Sequence, residues 1–214
     1  MAKNPNTRLE NRHSQYLAKS GFGKSQTLLR RSSISPGDRV VLWDNNDDHE
    51  ADARCGTLSE FFRTLADAER SGKAYRVAYN GDAAPHLFEQ WAHGVWSILD
   101  GNRITRAVIE EYSDCCRGPG LLDYKKDAYH RRLWTQGRKY GLILDVTSQR
   151  PQLISKDSLG NAGIIWAGHM DTSAAERIGK EIDIPWRDIM ACKVGEFYRK
   201  DLQRTEKIKV FDPR

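Results

Sequence analysis

The chain is expected to fold as an α/β domain with a mostly parallel central sheet and helices on both faces. Two observations carry this expectation. Short apolar, β-branched runs alternate along the chain with longer stretches whose apolar residues recur at helical spacing. The 214 residues, 39% hydrophobic and 29% charged, suffice for one domain with its own core, and no stretch approaches the ~20 apolar residues of a membrane span.

The elements follow in order. Residues 15–18 form a short strand candidate, and a glycine-rich turn leads from it into a helix start at 26–31. The run R-V-V-L-W at 39–43 is a buried strand by its apolar, branched content. Leu58, Phe61, Phe62, Leu65 and Ala68 give a helix over 58–70, stopped by Ser71-Gly72. A strand returns at 75–79, and Leu87, Phe88, Trp91, Val95, Ile98 and Leu99 share one side of a helix over 85–99. Strands are predicted at 106–109, 141–146 and 163–168, and helices at 123–139, 172–181 and 185–200. Gly118-Pro119-Gly120 marks a surface loop. Residues 1–14 read as a basic arm and 15–214 as a single domain. The arm carries no apolar core of a secretory signal, so a cytosolic compartment is expected.

Charge and cysteine usage narrow the classes. The net charge is +5, and the basic residues cluster in the first 31 positions and over 117–139, where they can neutralise phosphates. Residues 38–52 are acidic (Asp38, Asp44, Asp47, Asp48, Glu50, Asp52) but lack the glycine and terminal glutamate of a calcium loop, and read as a solvated loop. Cys55, Cys115, Cys116 and Cys192 form no C-x-x-C pair, and the six histidines are scattered, so reduced thiols and no zinc site are expected. The tryptophans read as core, except that Trp134, inside the basic segment, is placed to stack on a base.

The strongest chemical signal is the loop Ser20, Gly21, Phe22, Gly23, Lys24, Ser25 and Gln26 between a strand and a helix. Backbone N–H groups of such a loop cradle phosphates, the lysine reaches the terminal ones, and the serine hydroxyl ligates magnesium. The full pattern wants glycine at position 18, where this chain has Ala18. A hydrolase also needs a carboxylate for the metal and a base for water. Ala107-Val108-Ile109-Glu110-Glu111 supplies both, with Glu110 toward magnesium and Glu111 as the base. Third, the strand at 141–146 leads to Gln149, a polar tip suited to orient water or touch the γ-phosphate.

Arg138-Lys139-Tyr140-Gly141, a hydrophobic strand and Ser148-Gln149-Arg150-Pro151, followed by Asn161, Ile164-Ile165-Trp166 and Asp171-Thr172-Ser173 with Arg177, resemble the FtsK–HerA superfamily of DNA-pumping ATPases. The resemblance spans about 17–179. Its small size is similar to the genome-packaging ATPases of icosahedral viruses with an internal membrane. The resemblance implies a RecA-like P-loop core using ATP and Mg2+, and a homo-oligomeric ring, most simply a hexamer, acting on double-stranded DNA. It further implies portal or membrane-vertex partners, and a location in the host cytoplasm and at the packaging vertex. A trans-acting arginine is implied, with Arg138 the first candidate and Arg132 and Arg177 behind it. DNA contact would fall to Arg117, Lys125, Lys126, Arg131 and Arg132. The alternatives left open are a nucleotide-binding assembly protein without motor activity and a small P-loop nucleotide kinase.

Overall fold

The computed structural model describes residues 2–213. Nine strands form one sheet: β1 (Ser14–Leu17), β2 (Arg39–Trp43), β3 (Ala53–Cys55), β4 (Tyr75–Tyr79), β5 (Thr105–Ile109), β6 (Leu142–Ser148), β7 (Ile164–Ala167), β8 (Glu196–Lys200) and β9 (Thr205–Lys209). Their spatial order is β3-β4-β2-β5-β6-β1-β7-β8-β9. All pairs from β3 to β7 are parallel, and β8 and β9 close that edge as an antiparallel hairpin. The central parallel strands are buried on both sides: β2, β5 and β6 have no exposed position.

The insertion of β6 between β5 and β1 matters most for function. Trp43 pairs with Ile109, Ile109 with Val146, and Leu17 with Ser148, so β2, β5, β6 and β1 finish side by side. The residues that follow them, Asp44, Glu110, Gln149 and Ala18, therefore share the carboxyl edge of the sheet, where open α/β sheets bind ligands.

Among the described residues seven α-helices connect the strands: α1 (Lys24–Arg31), α2 (Leu58–Ser71), α3 (Pro85–Ile98), α4 (Ala128–Gln136), α5 (Lys156–Gly160), α6 (Thr172–Ile182) and α7 (Trp186–Met190). They occupy the two faces unequally. The larger core lies under α2, α3, α4 and α6, where Phe61, Phe88, Trp91, Leu133 and Ile178 meet Trp43, Val77, Ile109 and Val146. On the other face α1 contributes Leu28, packed with Tyr16, Val40, Leu42 and Val108, and Phe197 of β8 extends the cluster. The segment before β1 lies along the amino edge of the sheet through Lys3 N–H to Leu99 O (3.1 Å) and Asn6 N–H to Lys139 O (2.6 Å).

Two predicted helices are corrected. Over 185–200 the helix stops at Met190, and Glu196–Lys200 is a strand, because Gly195 turns left-handed at φ 80° and the strand buries Phe197 on one face while Tyr198 packs on the other. Over 123–139 only Ala128–Gln136 is α-helical. The Asp123 carboxylate accepts N–H bonds from Lys125 and Lys126 (2.8 Å each) and holds residues 123–127 in a turn. The strands at 53–55 and 205–209 have no counterpart in the sequence reading.

Candidate nucleotide site

The loop after β1 is shaped for an anion. Gly21 and Gly23 sit at φ 81° and 92°, a conformation that side chains resist, and α1 begins directly at Lys24. No side chain caps that helix, which leaves its first-turn N–H groups for a ligand. The Phe211 ring fills the space a Cβ would take at Gly23, so a side chain there would have to displace that ring as well as strain the backbone. The loop is pinned by Lys19 N–H to His169 O (2.7 Å) and by Phe22 stacked on the His169 ring at 4.3 Å. Ala18, where the full pattern wants glycine, keeps a negative φ and packs fully buried in the space left by Gly168.

Lys24 projects to the acidic pair. Its Nζ lies 3.1 Å from Glu111 Oε1, both side chains mostly shielded. Glu111 itself is left-handed, φ 46°, rare for a residue with a side chain, and opens the short 3-10 turn Tyr112–Cys115. Its carboxylate accepts from Gln149 Nε2 at 2.6 Å, and its own N–H donates to Thr147 Oγ1 at 3.2 Å. The turn that carries Gln149 is anchored by Arg177, which donates to the carbonyls of Pro151 (3.1 Å), Gln152 and Ile154 (2.7 Å each).

Glu110 is 2% exposed, and both its oxygens are engaged. Oε1 meets His49 Nε2 at 2.6 Å, and Oε2 accepts from the Thr147 hydroxyl. Burial alone would raise the Glu110 pKa. The hydrogen bond and charge of His49, then Thr147 and Lys24, outweigh it and hold the carboxyl below its ordinary value. Burial likewise pulls His49 down, but Glu110, Asp44 and Asp48 overcome this and raise it, so the two form an ion pair. His49 is the functional-site residue the sequence reading misses. It lies in the acidic 44–52 loop, where nothing but a lone histidine beside Asp48 marks it.

Comparison with known proteins bears on the fold. No family model matches the sequence. Protein P9 of Pseudoalteromonas phage PM2 is 27% identical over 183 residues, 85% of this chain and 79% of that protein. The genome packaging NTPase B204 from Sulfolobus turreted icosahedral virus 2, in complex with AMPPCP, superposes with a TM-score of 0.73 at 15% identity, covering 95% of this chain and 99% of that one. The chain shares the fold of this structure, an α/β domain with a mostly parallel sheet. VirB4 of Thermoanaerobacter pseudethanolicus shares it, with a TM-score of 0.64 at 14% identity over 95% and 90% of the two chains.

Within this fold the remaining candidates separate. Ser25 stands half-buried in the first turn of α1, while Ser20 and Gln26 are exposed at the ends of the loop. Arg138 sits before β6, at the edge of the sheet opposite Gln149, and donates to the carbonyls of Thr7 (3.2 Å) and Leu9. Arg177 is spent on the turn after Gln149. Arg132 is exposed, its guanidinium 5.0 Å from the Tyr129 ring centroid. Of the basic residues assigned to DNA, Lys125 and Lys126 are exposed on the turn that follows the Gly118–Gly120 loop. Arg131 is exposed as well, 3.9 Å from Asp157. Arg117 is committed to the buried Asp127 at 2.8 Å. Trp134 is no stacking platform: it is 3% exposed and donates to Tyr112 OH at 2.8 Å.

Proposed function

We propose that this protein is an ATP-hydrolysing motor that moves double-stranded DNA, acting as a viral genome-packaging ATPase. The observation that carries it is the convergence of Lys24 and Gln149 on Glu111 beside a glycine-shaped phosphate loop, each within hydrogen-bond distance of that carboxylate. The likeness to a packaging NTPase over nearly its whole length supports it further.

In this reading the loop N–H groups and Lys24 bind the triphosphate of ATP. Lys24 then exchanges Glu111 for the phosphates and neutralises charge that develops on them. Glu111, released from Lys24, accepts the proton of the attacking water, and the Gln149 amide orients that water. Magnesium fits these residues as a cation brought by the nucleotide. Among the described residues no cluster of three or more His, Cys, Asp or Glu is arranged to hold a metal alone. Mg2+ characteristically takes one or two protein ligands beside substrate phosphates and water. Ser25 and the charged, buried Glu110 would hold it, and it would neutralise charge on the phosphates.

The motor works as a homo-oligomeric ring, most simply a hexamer, with Lys125, Lys126, Arg131 and Arg132 on DNA phosphates. An arginine from the neighbour completes each site. Arg138 fills that role only by giving up the carbonyls of Thr7 and Leu9. Its place is the host cytoplasm and the packaging vertex, with portal or membrane-vertex proteins as partners. No helix of the described residues is long and apolar enough to cross a membrane.

An ATPase assay with and without double-stranded DNA tests the proposal. Strong stimulation by DNA supports the motor. Binding without turnover indicates a nucleotide-gated assembly protein, and dependence on a phosphoryl acceptor indicates a kinase. Mixing Arg138→Ala subunits into wild type should depress activity more than in proportion; a linear fall removes Arg138 from the neighbour's site.

A further inference from the structure

The loop after β2 delivers His49 to the nucleotide site by a chain of local contacts. Asp44, fully buried, accepts N–H bonds from Asp48 (2.9 Å) and His49 (3.0 Å), which folds residues 44–49 back across the carboxyl ends of β2 and β5. Arg54 ties the same loop down through Asp47 at 2.7 Å and through the His49 carbonyl. The imidazole, its side chain 5% exposed, is thereby fixed with Nε2 2.6 Å from Glu110 Oε1. Thr147 takes the opposite oxygen, and the N–H of Glu111 reaches the same hydroxyl. A carboxylate with one hydrogen bond to each oxygen is fixed in rotation and has only its remaining lone pairs free.

We propose that His49 is a positioning residue that locks the Glu110 carboxylate in the orientation from which it would hold the nucleotide-borne magnesium. The inference rests on the ATPase reading of the site and deepens it. Three features argue for a positioning role over simple packing. Two ionisable groups are buried against each other, an arrangement that costs desolvation and is retained only where the pairing is well satisfied. The loop that supplies His49 is itself built by hydrogen bonds converging on Asp44 and Arg54. The same Thr147 that holds Glu110 also holds the backbone of Glu111, so rotation of Glu110 would disturb the proposed base. Partners that orient a metal-binding carboxylate or imidazole typically carry a 10–100-fold effect on affinity or activity.

The experiment compares wild type, His49→Ala and His49→Gln, with Lys24→Ala as reference, in the full-length chain. ATP affinity is measured by calorimetry in excess Mg2+ and again in EDTA, alongside kcat and KM. His49→Ala is expected to bind ATP normally in EDTA, to alter the gain in affinity from Mg2+ by about 10-fold, and to lower kcat by about 10–100-fold with a smaller change in KM. His49→Gln, which keeps an N–H donor, should recover most of both. A His49→Ala protein with wild-type Mg2+ gain and kcat overturns the inference, as does a glutamine variant no better than alanine. Should the alanine variant fail to fold, His49→Gln against His49→Met, similar in length but without a donor, makes the same comparison. If Lys24→Ala binds ATP like wild type, the ATPase reading itself falls. If only the His49 variants are silent, the positioning role alone is lost.

Discussion

The two edges of the central sheet carry buried ionic networks built from the same chemistry but with different endings. At the amino edge Arg39 of β2 holds Glu69 at 2.9 Å and Thr105 Oγ1 at 2.6 Å, while Tyr75 OH (2.6 Å) and Arg103 (3.0 Å) complete the same carboxylate. Every strong group there ends on another protein group. At the carboxyl edge the chain His49–Glu110–Thr147–Glu111–Gln149 ends on Lys24, whose partner Glu111 is 22% exposed and held in a left-handed conformation. A closed network stabilises the fold. An open one, ending on a lysine beside a phosphate loop, is available for exchange with a ligand.

This contrast is sharpest where function and stability are measured separately. Glu111→Gln should retain ATP but lower hydrolysis by about 10³-fold, the scale of a lost general base, and leave the urea midpoint near wild type. Normal hydrolysis would remove Glu111 from the chemistry. Arg39→Ala should do the reverse. It leaves Glu69 only Arg103 and Tyr75 and strips Thr105 of its partner, and should destabilise the protein by about 2 kcal/mol in urea unfolding, with residual folded protein still binding ATP. A silent Arg39→Ala would mean that the amino-edge network is not what holds β2.

The next effect is on pH. Burial, followed for His13 by Arg138 and for His130 by Arg117, pushes both histidines from the ordinary 6.5 down to about 3. The unfolded chain takes up protons that the folded one refuses, so their contribution is complete above pH 6.5 and is lost as pH falls toward 3. Asp145 opposes them. Burial raises its carboxyl to about 6 despite Arg106, so its contribution is present below about 4 and is lost as pH rises through 6. Between these limits the two histidines outweigh the one aspartate, and urea midpoints should fall from pH 6 to pH 4. A flat profile would show that the histidines are not buried neutral. The smallest effect belongs to the exposed lysines: Lys125→Ala or Lys126→Ala should each lower the salt slope of DNA binding by about one without changing the urea midpoint. Arg117→Ala, by contrast, strips the buried Asp127 and should be read in stability.

Much of the site was legible because its signals are local. The glycine and lysine of 21–24, the paired glutamates after an apolar strand and Gln149 at the tip of another each announce their chemistry within a few residues. His49 was not, because its role depends on Asp44 folding the loop back onto a strand distant in sequence. Arg138, though it lies in a recognisable motif, was visible only as a residue type. Its bonds to the Thr7 and Leu9 carbonyls depend on how the segment before β1 packs. The β8–β9 hairpin was hidden for a different reason: E-F-Y-R-K and T-E-K-I-K are polar strands at one side of the sheet, and only Gly195 hints that the preceding helix must end. Trp134 was indistinguishable from a surface aromatic until α4 turned it toward Tyr112.

Hydrophobic periodicity and glycine placement by themselves determined most of the parallel strands and the helices between them, and so the alternating α/β order, because both act over a few residues of chain. Only the tertiary structure decided that β6 enters between β5 and β1. That insertion, governed by the packing of the whole sheet, brings Lys24, Glu110, Glu111 and Gln149 together across more than a hundred residues of sequence, and it decides which of the chain's charges face a ligand and which face one another.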